Sequence, residues 1–211
     1  GNLKFIFSGA AALQPRLARI FSAGNIIVIE GYGLTETSPV ISANRIEEEN
    51  REFGTVGPVI SGVEVKIDAG DGGYKEGEGE ICCKGPNVMM GYYKDEAKSA
   101  QTFRTFEGSR WSVPGDWAEI LADGTLVLLG RGSVCINTGG EKVFPEEVEE
   151  VLKRHSSVRD AVAVGIPDTR FGETICGVVE AEAGATPTLS VLNEHVKSAL
   201  AAYKAPRHIV V

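Results

Sequence analysis

The chain opens with two strand-like apolar runs separated by a helical pattern, and this order constrains the fold more than any other feature. The runs are residues 3–7 and 26–29, with Pro15 suited to a first helical turn and Gly24 to a helix stop. One helical face carries Leu13, Leu17, Ile20 and Phe21. Because a strand–helix–strand crossover packs its strands in parallel, the opening predicts part of an α/β sheet.

The predicted parallel pairing brings two small-residue segments together. Residues 31–37, GYGLTET, follow the second strand, and residues 8–11, SGAA, follow the first. The carboxyl ends of parallel strands share one sheet edge, where open α/β sheets bind ligands. We expect the two segments to line one crevice.

The sequence pattern changes twice along the rest of the chain. Residues 54–129 consist of short alternating runs separated by glycine, with a helical pattern only near 95–103, which predicts a small antiparallel β subdomain. Helix, strand, strand and helix patterns then occupy residues 145–154, 158–164, 175–180 and 189–200. The predicted units are 1–53, the end of an α/β part; 54–131, the β subdomain; and 132–211, an α+β domain, with the boundary at 131–133.

Composition excludes several classes of protein. With 21 Lys and Arg against 29 Asp and Glu, the net charge of −8 argues against a broad nucleic-acid or anionic-membrane surface. No apolar run approaches the ~20 residues of a membrane span. The four cysteines lack metal-ligand spacing, which favours reduced, mostly buried thiols in a cytoplasmic protein. His155 and His195 are expected on solvated helix faces.

Six spaced segments carry a family resemblance. They are residues 32–36 (YGLTE), 79–81 (GEI) with 91–93 (GYY), 115–116 (GD), 130–131 (GR), 139–149 (GGEKVFPEEVE) and 200–206 (LAAYKAP). In this order they resemble the acyl-CoA synthetases of the adenylate-forming superfamily, over nearly the whole chain. Residues 85–93, GPNVMMGYY, are most similar to ligases for medium- or long-chain fatty acids.

The resemblance implies a fold and a reaction. The fold is the end of a large α/β domain with a small β-barrel subdomain, followed by a mobile α+β lid domain. The reaction has two halves: a fatty acid and ATP give acyl-AMP and pyrophosphate, and coenzyme A then displaces AMP. ATP, Mg²⁺ and coenzyme A are the implied co-substrates, and a homo-oligomer is left open.

The resemblance also implies roles for residues near the nucleotide. Thr35 offers a hydroxyl to phosphate oxygens and Glu36 a carboxylate to Mg²⁺, an ion that prefers oxygen ligands. Tyr32 supplies a ring against adenine, and Asp116 accepts the ribose hydroxyls. Without the motif, Glu36 reads as a solvated loop acid, Tyr32 as a core aromatic and Asp116 as a turn residue.

Smaller and more distant residues complete the implied site. Gly9, Ala10 and Ala11 let the purine approach the backbone. Arg131 reaches the ribose or a phosphate from the hinge. Gly139 and Gly140 line the channel for the pantetheine arm of coenzyme A, or form an ordinary hairpin turn.

The chain also departs from the family pattern. A Ser/Thr/Gly-rich phosphate loop and the late adenylation lysine have no counterpart in it, and Val134 stands where the hinge usually has Asp or Lys. We therefore expect these 211 residues alone to adenylate poorly or not at all. Segments 112–117 and 133–138 resemble another subfamily than residues up to 93, which raises the hypothesis of a composite chain.

Two other functions stay open. One is a non-catalytic module that binds a nucleotide or an acyl-adenylate. The other is an amino-acid-activating adenylation domain that serves a carrier protein.

Overall fold

The computed structural model describes residues 3–10, 13–47, 51–70, 73–106 and 108–211. The chain divides into two compact units, Gly1–Leu128 and Leu129–Val211. No helix in these described ranges is long and apolar enough to cross a membrane. The predicted boundary at residues 131–133 stays a prediction.

The first unit begins with the predicted strand–helix–strand arrangement. Its elements are β1 (Ile6–Ser8), α1 (Pro15–Ala23), β2 (Val28–Gly33) and β3 (Val40–Ala43). Strands β1 and β2 pair in parallel, with Phe7 opposite Ile29, and β3 joins β2 antiparallel. This confirms the expected parallel pairing and puts residues 34–39 in a tight connection at the end of β2.

Helix α1 has the expected ends but an uncovered apolar face. Pro15 is its first residue and Gly24 its C-cap. Its only buried residue is Ala18, whereas Ile20 is 55% exposed and Leu17 is 40% exposed. A three-stranded sheet is too small to cover the whole apolar stripe of this helix.

A second sheet occupies the rest of the first unit, and its last strand continues past Leu128 into the second unit. Its strands and one helix are β4 (Glu64–Asp68), β5 (Tyr74–Lys75), β6 (Glu78–Lys84), α2 (Glu96–Thr102), β7 (Phe103–Phe106), β8 (Ser109–Ser112), β9 (Asp116–Ile120) and β10 (Leu126–Arg131). The order is β10-β9-β6-β4-β5, with β8 between β6 and β7. The glycine-separated runs therefore form antiparallel strands, as their alternation predicts.

The expected small β-barrel does not close among the described residues, where the strands form an open sheet. Strand β6 causes the difference, because its two halves have different neighbours. Residues 78–80 pair with β9, whereas Cys83 pairs with β8. The sheet forks at β6, and β10 and β5 are the two ends of its main path.

The adjacent cysteines of β6 enter two different cores. Cys83 packs with Ile67, Ile81 and Leu126, while Cys82 packs with Trp111 on the opposite face. Burial raises the pKa of Cys82 to about 12 and that of Cys83 to about 11. Three of the four cysteines are buried, which confirms the prediction that the thiols are mostly buried.

The second unit is a sheet covered by two helices. Its elements are β11 (Ile136–Thr138), β12 (Glu141–Val143), α3 (Pro145–Lys153), β13 (Val158–Asp168), β14 (Gly172–Ala181), α4 (Leu189–Ala199) and β15 (His208–Val210). The order is β12-β11-β14-β13, with β15 parallel to β14. The helix–strand–strand–helix prediction is confirmed, and the β11–β12 hairpin is an addition to it.

Both helices contribute to one hydrophobic core. Val148 and Leu152 of α3 and Leu192 and Val196 of α4 are completely buried against β13 and β14. The expectation that His155 and His195 are solvated is wrong: both are half-buried, and their ring centroids lie 5.0 Å apart. The reason is tertiary, because α4 packs against the end of α3.

Candidate functional site

A short 3₁₀ turn, Thr35–Thr37, follows β2 and carries two of the predicted site residues. Thr37 is completely buried, and its hydroxyl lies 2.6 Å from the carbonyl oxygen of Pro39. The same hydroxyl lies 3.1 Å from the Leu34 carbonyl and accepts the Leu34 N–H at 3.1 Å. Thr37 therefore fixes the turn from inside, while the Thr35 side chain is exposed.

Glu36, the predicted metal ligand, is half-buried and is contacted by a segment more than fifty residues later. The Tyr92 hydroxyl donates to Glu36 Oε1, and the Met89 N–H donates to the Glu36 carbonyl at 2.9 Å. The residues that the structure describes hold no cluster of three or more His, Cys, Asp or Glu side chains suited to a metal ion. A single carboxylate still fits Mg²⁺, which is usually bound by one or two carboxylates together with substrate phosphates.

Tyr32 and Asp116 meet, although 84 positions separate them in the sequence. The Tyr32 hydroxyl donates to Asp116 Oδ2 at 2.6 Å, and both residues are less than a tenth exposed. Tyr32 also packs in the core cluster that includes Ile41 and Leu126. The contact joins the end of β2 to the start of β9, so two of the predicted nucleotide residues belong to one buried pair.

The segment after β1 lies beside Gly31, the first residue of the 31–37 segment, which fits the predicted proximity of the two segments. A Cβ added at Gly9 would meet the Gly31 carbonyl oxygen at 3.5 Å. Ala10 has a positive φ of 68°, a backbone conformation that is uncommon for residues other than glycine. Ala11, the third predicted residue of this group, lies outside the described residues.

Arg131 and the glycine pair belong to the second unit. Arg131 ends β10 and is exposed. Gly139 and Gly140 form the turn between β11 and β12, with φ values of +63° and +91°. The Gly139 N–H donates to the Phe171 carbonyl at 2.9 Å, whereas a Cβ added at Gly140 would meet no described atom within 4 Å.

Sequence reasoning missed the partners of the Glu36 turn. The phrase GYY was identified only as part of a resemblance, and no spacing rule connects Tyr92 with Glu36. A surface cavity of about 380 Å³ also went unpredicted; it is lined by residues of the 58–66 segment and by Ile120, Asp123 and Gly124. None of the predicted site residues lines this cavity.

The sequence matches two parts of one enzyme family. Residues 1–93 match the AMP-binding enzyme family, and residues 147–211 match the AMP-binding enzyme C-terminal domain. The first stretch contains six of the ten predicted site residues, and the other four, Asp116, Arg131, Gly139 and Gly140, lie between the two stretches.

Curated relatives extend the similarity across the whole chain. It is 49% identical to the medium/long-chain-fatty-acid–CoA/3-oxocholest-4-en-26-oate–CoA ligase of Mycobacterium tuberculosis H37Rv, over 99% of this chain and 38% of that protein. It is 43% identical to the 3-oxocholest-4-en-26-oate–CoA ligase of Rhodococcus rhodochrous, over 96% of this chain and 37% of that protein. The chain thus spans less than two fifths of these relatives, and one relative matches both of the parts that prompted the hypothesis of a composite chain.

Two solved structures of related enzymes are similar to this chain over almost its whole length. ATP-bound MatB from Rhodopseudomonas palustris is 32% identical with a TM-score of 0.86, covering 97% of this chain and 40% of that one. The o-succinylbenzoate–CoA synthetase of Bacillus subtilis in complex with its acyl-adenylate intermediate is 31% identical with a TM-score of 0.84, covering 98% of this chain and 42% of that one.

Proposed function

Because the chain belongs to the AMP-binding enzyme family, we propose that it is part of an ATP-dependent acyl-CoA synthetase for a medium- or long-chain fatty acid. The observation that carries this proposal is the buried Tyr32–Asp116 hydrogen bond, which unites residues from two distant motifs. The names of the relatives from Mycobacterium tuberculosis and Rhodococcus rhodochrous support the substrate class.

The reaction consists of two substitutions. The fatty-acid carboxylate attacks the α-phosphorus of ATP, so that an acyl-AMP anhydride forms and pyrophosphate leaves. The sulfur of coenzyme A then attacks the acyl carbon, AMP leaves, and the thiol proton is lost to solvent or base. We expect these 211 residues alone to release little pyrophosphate.

The proposed nucleotide site uses the end of β2 and the start of β9. Asp116 accepts hydrogen bonds from the ribose hydroxyls and keeps its hydrogen bond from the Tyr32 hydroxyl, which orients the carboxylate. The Tyr32 ring faces adenine, and Gly9 and Ala10 provide backbone that the purine approaches closely. Arg131 supplies a positive charge for the ribose or a phosphate.

The exposed hydroxyl of Thr35 donates to phosphate oxygens, and Glu36 provides the carboxylate for Mg²⁺. When bound, Mg²⁺ neutralises charge on the phosphates of ATP as bond breaking begins. The buried Thr37 hydroxyl holds the turn, so Thr35 and Glu36 keep their places without rearrangement.

The first experiment replaces Glu36 with glutamine in the full-length enzyme. We expect Glu36→Gln to lower pyrophosphate release by on the order of 10²–10³-fold, because a charged ligand becomes a neutral amide. The matched control is Glu119→Gln, the same change at an exposed residue of β9, which should leave the rate unaltered. Unchanged pyrophosphate release in Glu36→Gln would disprove the metal role.

The same assay distinguishes the other functions. ATP binding without pyrophosphate release, in the full-length protein with any acid, would favour a non-catalytic module. Pyrophosphate release with amino acids and not with fatty acids would favour a carrier-linked adenylation domain.

The proposed pantetheine channel is tested with two substitutions at Gly140. Gly140→Ala and Gly140→Leu share the strain of a side chain at φ +91°, and only leucine adds bulk. Because a Cβ here meets no described atom within 4 Å, the extra bulk should block thioester formation only by occupying the path of the pantetheine arm. We expect Gly140→Leu to accumulate acyl-AMP, with pyrophosphate release in the first turnover preserved, while Gly140→Ala still forms acyl-CoA.

Equal losses of both half-reactions in the two Gly140 variants, with matching falls in melting temperature, would contradict the channel role. That outcome is the one that turn strain alone produces, since the lid domain serves both half-reactions.

A further inference from the structure

Residues 85–93 form a loop that lies against the Thr35–Thr37 turn and the start of β3, and three hydrogen bonds hold the loop there. Two reach Glu36, from the Met89 N–H and the Tyr92 hydroxyl. The third runs from the Asn87 side-chain amide to the Val40 carbonyl at 2.9 Å. The turn is therefore held on its outer side by a segment that is distant in sequence.

The loop is itself fixed on both sides of the contact with Glu36. The Arg110 guanidinium donates to the Met89 carbonyl at 2.9 Å and to the Met90 carbonyl at 2.7 Å. The Tyr92 N–H donates to Ser99 Oγ at 2.9 Å, at α2. Because the loop is anchored in this way, the position of the Tyr92 side chain is restricted before any ligand binds.

The Tyr92 hydroxyl is a proton donor at neutral pH. A tyrosine phenol, with an ordinary pKa of about 10, is protonated at neutral pH. The phenol therefore keeps its proton and donates it to Glu36 Oε1. A carboxylate that accepts such a bond at one oxygen has a defined plane and direction.

We propose that Tyr92 is a positioning residue, which orients the Glu36 carboxylate for the divalent cation that accompanies ATP. This inference rests on the proposed role of Glu36 and adds a residue to it. Hydrogen bonds to a ligating carboxylate fix its orientation, and their removal commonly costs about 10–100-fold in metal affinity. Tyr92 acts through Glu36 and does not need to touch the nucleotide.

The test is the Mg²⁺ dependence of ATP binding to the full-length enzyme, measured by titration calorimetry without fatty acid. Tyr92→Phe removes only the hydroxyl. We expect it to raise the Mg²⁺ concentration for half-maximal enhancement of ATP binding by about 10-fold or more. ATP affinity measured in excess chelator should stay unchanged, because the nucleotide contacts themselves are intact.

Two further variants make the result specific. Tyr93→Phe is the matched control, since Tyr93 is the adjacent tyrosine and is 88% exposed; its Mg²⁺ dependence should equal that of the unaltered enzyme. Glu36→Gln/Tyr92→Phe should behave as Glu36→Gln alone, because a residue that acts through Glu36 has no effect once the carboxylate is gone.

The outcomes separate this inference from the proposed function. If Glu36→Gln abolishes the Mg²⁺ dependence and Tyr92→Phe leaves it unchanged, the positioning role is overturned and the metal role of Glu36 stands. If Glu36→Gln itself leaves the dependence intact, the proposed function fails at this residue. Loss of ATP affinity in chelator by Tyr92→Phe indicates a purely structural role and also overturns the proposal.

Discussion

The Thr35–Thr37 turn and the Gly139–Gly140 turn are two candidate sites of one chain, built on opposite physical principles. The first is held by side chains, with the buried Thr37 hydroxyl inside it and the Tyr92 hydroxyl outside. The second depends on the backbone freedom of glycine, with positive φ at both positions. One turn is therefore fixed by side-chain contacts, and the other presents bare backbone.

The difference matches the chemistry proposed for each turn. A carboxylate that holds a metal must keep a fixed direction, which requires contacts from several parts of the fold. A wall beside a flexible pantetheine arm must be thin, and a residue with no side chain meets this need. We therefore expect the first turn to be sensitive to distant substitutions and the second to be sensitive mainly to what replaces its own glycines.

The largest effect on the first turn should come from Thr37→Val. Valine has a similar shape but no hydroxyl, and its methyl group would lie where an oxygen now sits 2.6 Å from the Pro39 carbonyl. The lost hydrogen bonds and the crowding should lower the free energy of unfolding by about 1–3 kcal/mol. Chemical denaturation with urea measures this change directly.

Thr35→Val is the control for that experiment, because it makes the same replacement two residues earlier on an exposed side chain. We expect it to change stability by no more than about 0.5 kcal/mol. Equal stability losses at the two threonines would contradict the claim that an internal side chain fixes the first turn.

Local sequence patterns predicted the helices and strands well, but they did not predict the contacts between residues that are distant in the sequence. The apolar periodicity around Pro15 and Gly24 sufficed for α1 and for the parallel pairing of its strands, because such crossovers have few packing solutions. The alternation of apolar and polar residues in the 54–129 segment did not predict that its sheet is open. Which neighbour each half of β6 takes depends on register with strands far along the chain.

The site shows the same division. A family resemblance singled out Tyr32 and Asp116, and their roles stay predictions, but no pattern in the sequence indicates that their side chains bond to each other. The contact of Tyr92 with Glu36 is equally non-local. The His155–His195 contact also depends on how two helices pack, and charged neighbours on each helix misled the prediction of solvated rings.

The smallest predicted effect concerns a carboxylate that supports the Gly139–Gly140 turn, so that the stability of this turn depends on pH. Gly139 rests on Phe171, whose N–H, like that of Arg170, donates to Asp168 Oδ1. These two hydrogen bonds from backbone N–H groups, of which the one from Phe171 has the larger effect, hold the pKa of Asp168 below its usual value.

Because the folded-state pKa of Asp168 is lowered, the stabilisation from its carboxylate is present above the unfolded value of about 3.9. It is lost as the pH falls through the lower folded-state pKa. The Phe171 amide resonance in a ¹H–¹⁵N spectrum should therefore titrate with a midpoint below about 3.9, with a smaller shift at Gly139. In Asp168→Asn the titration at Phe171 should disappear. A Phe171 midpoint at or above the unfolded value would mean that the carboxylate gives this turn no support, and the glycine turn would then rest on backbone conformation alone.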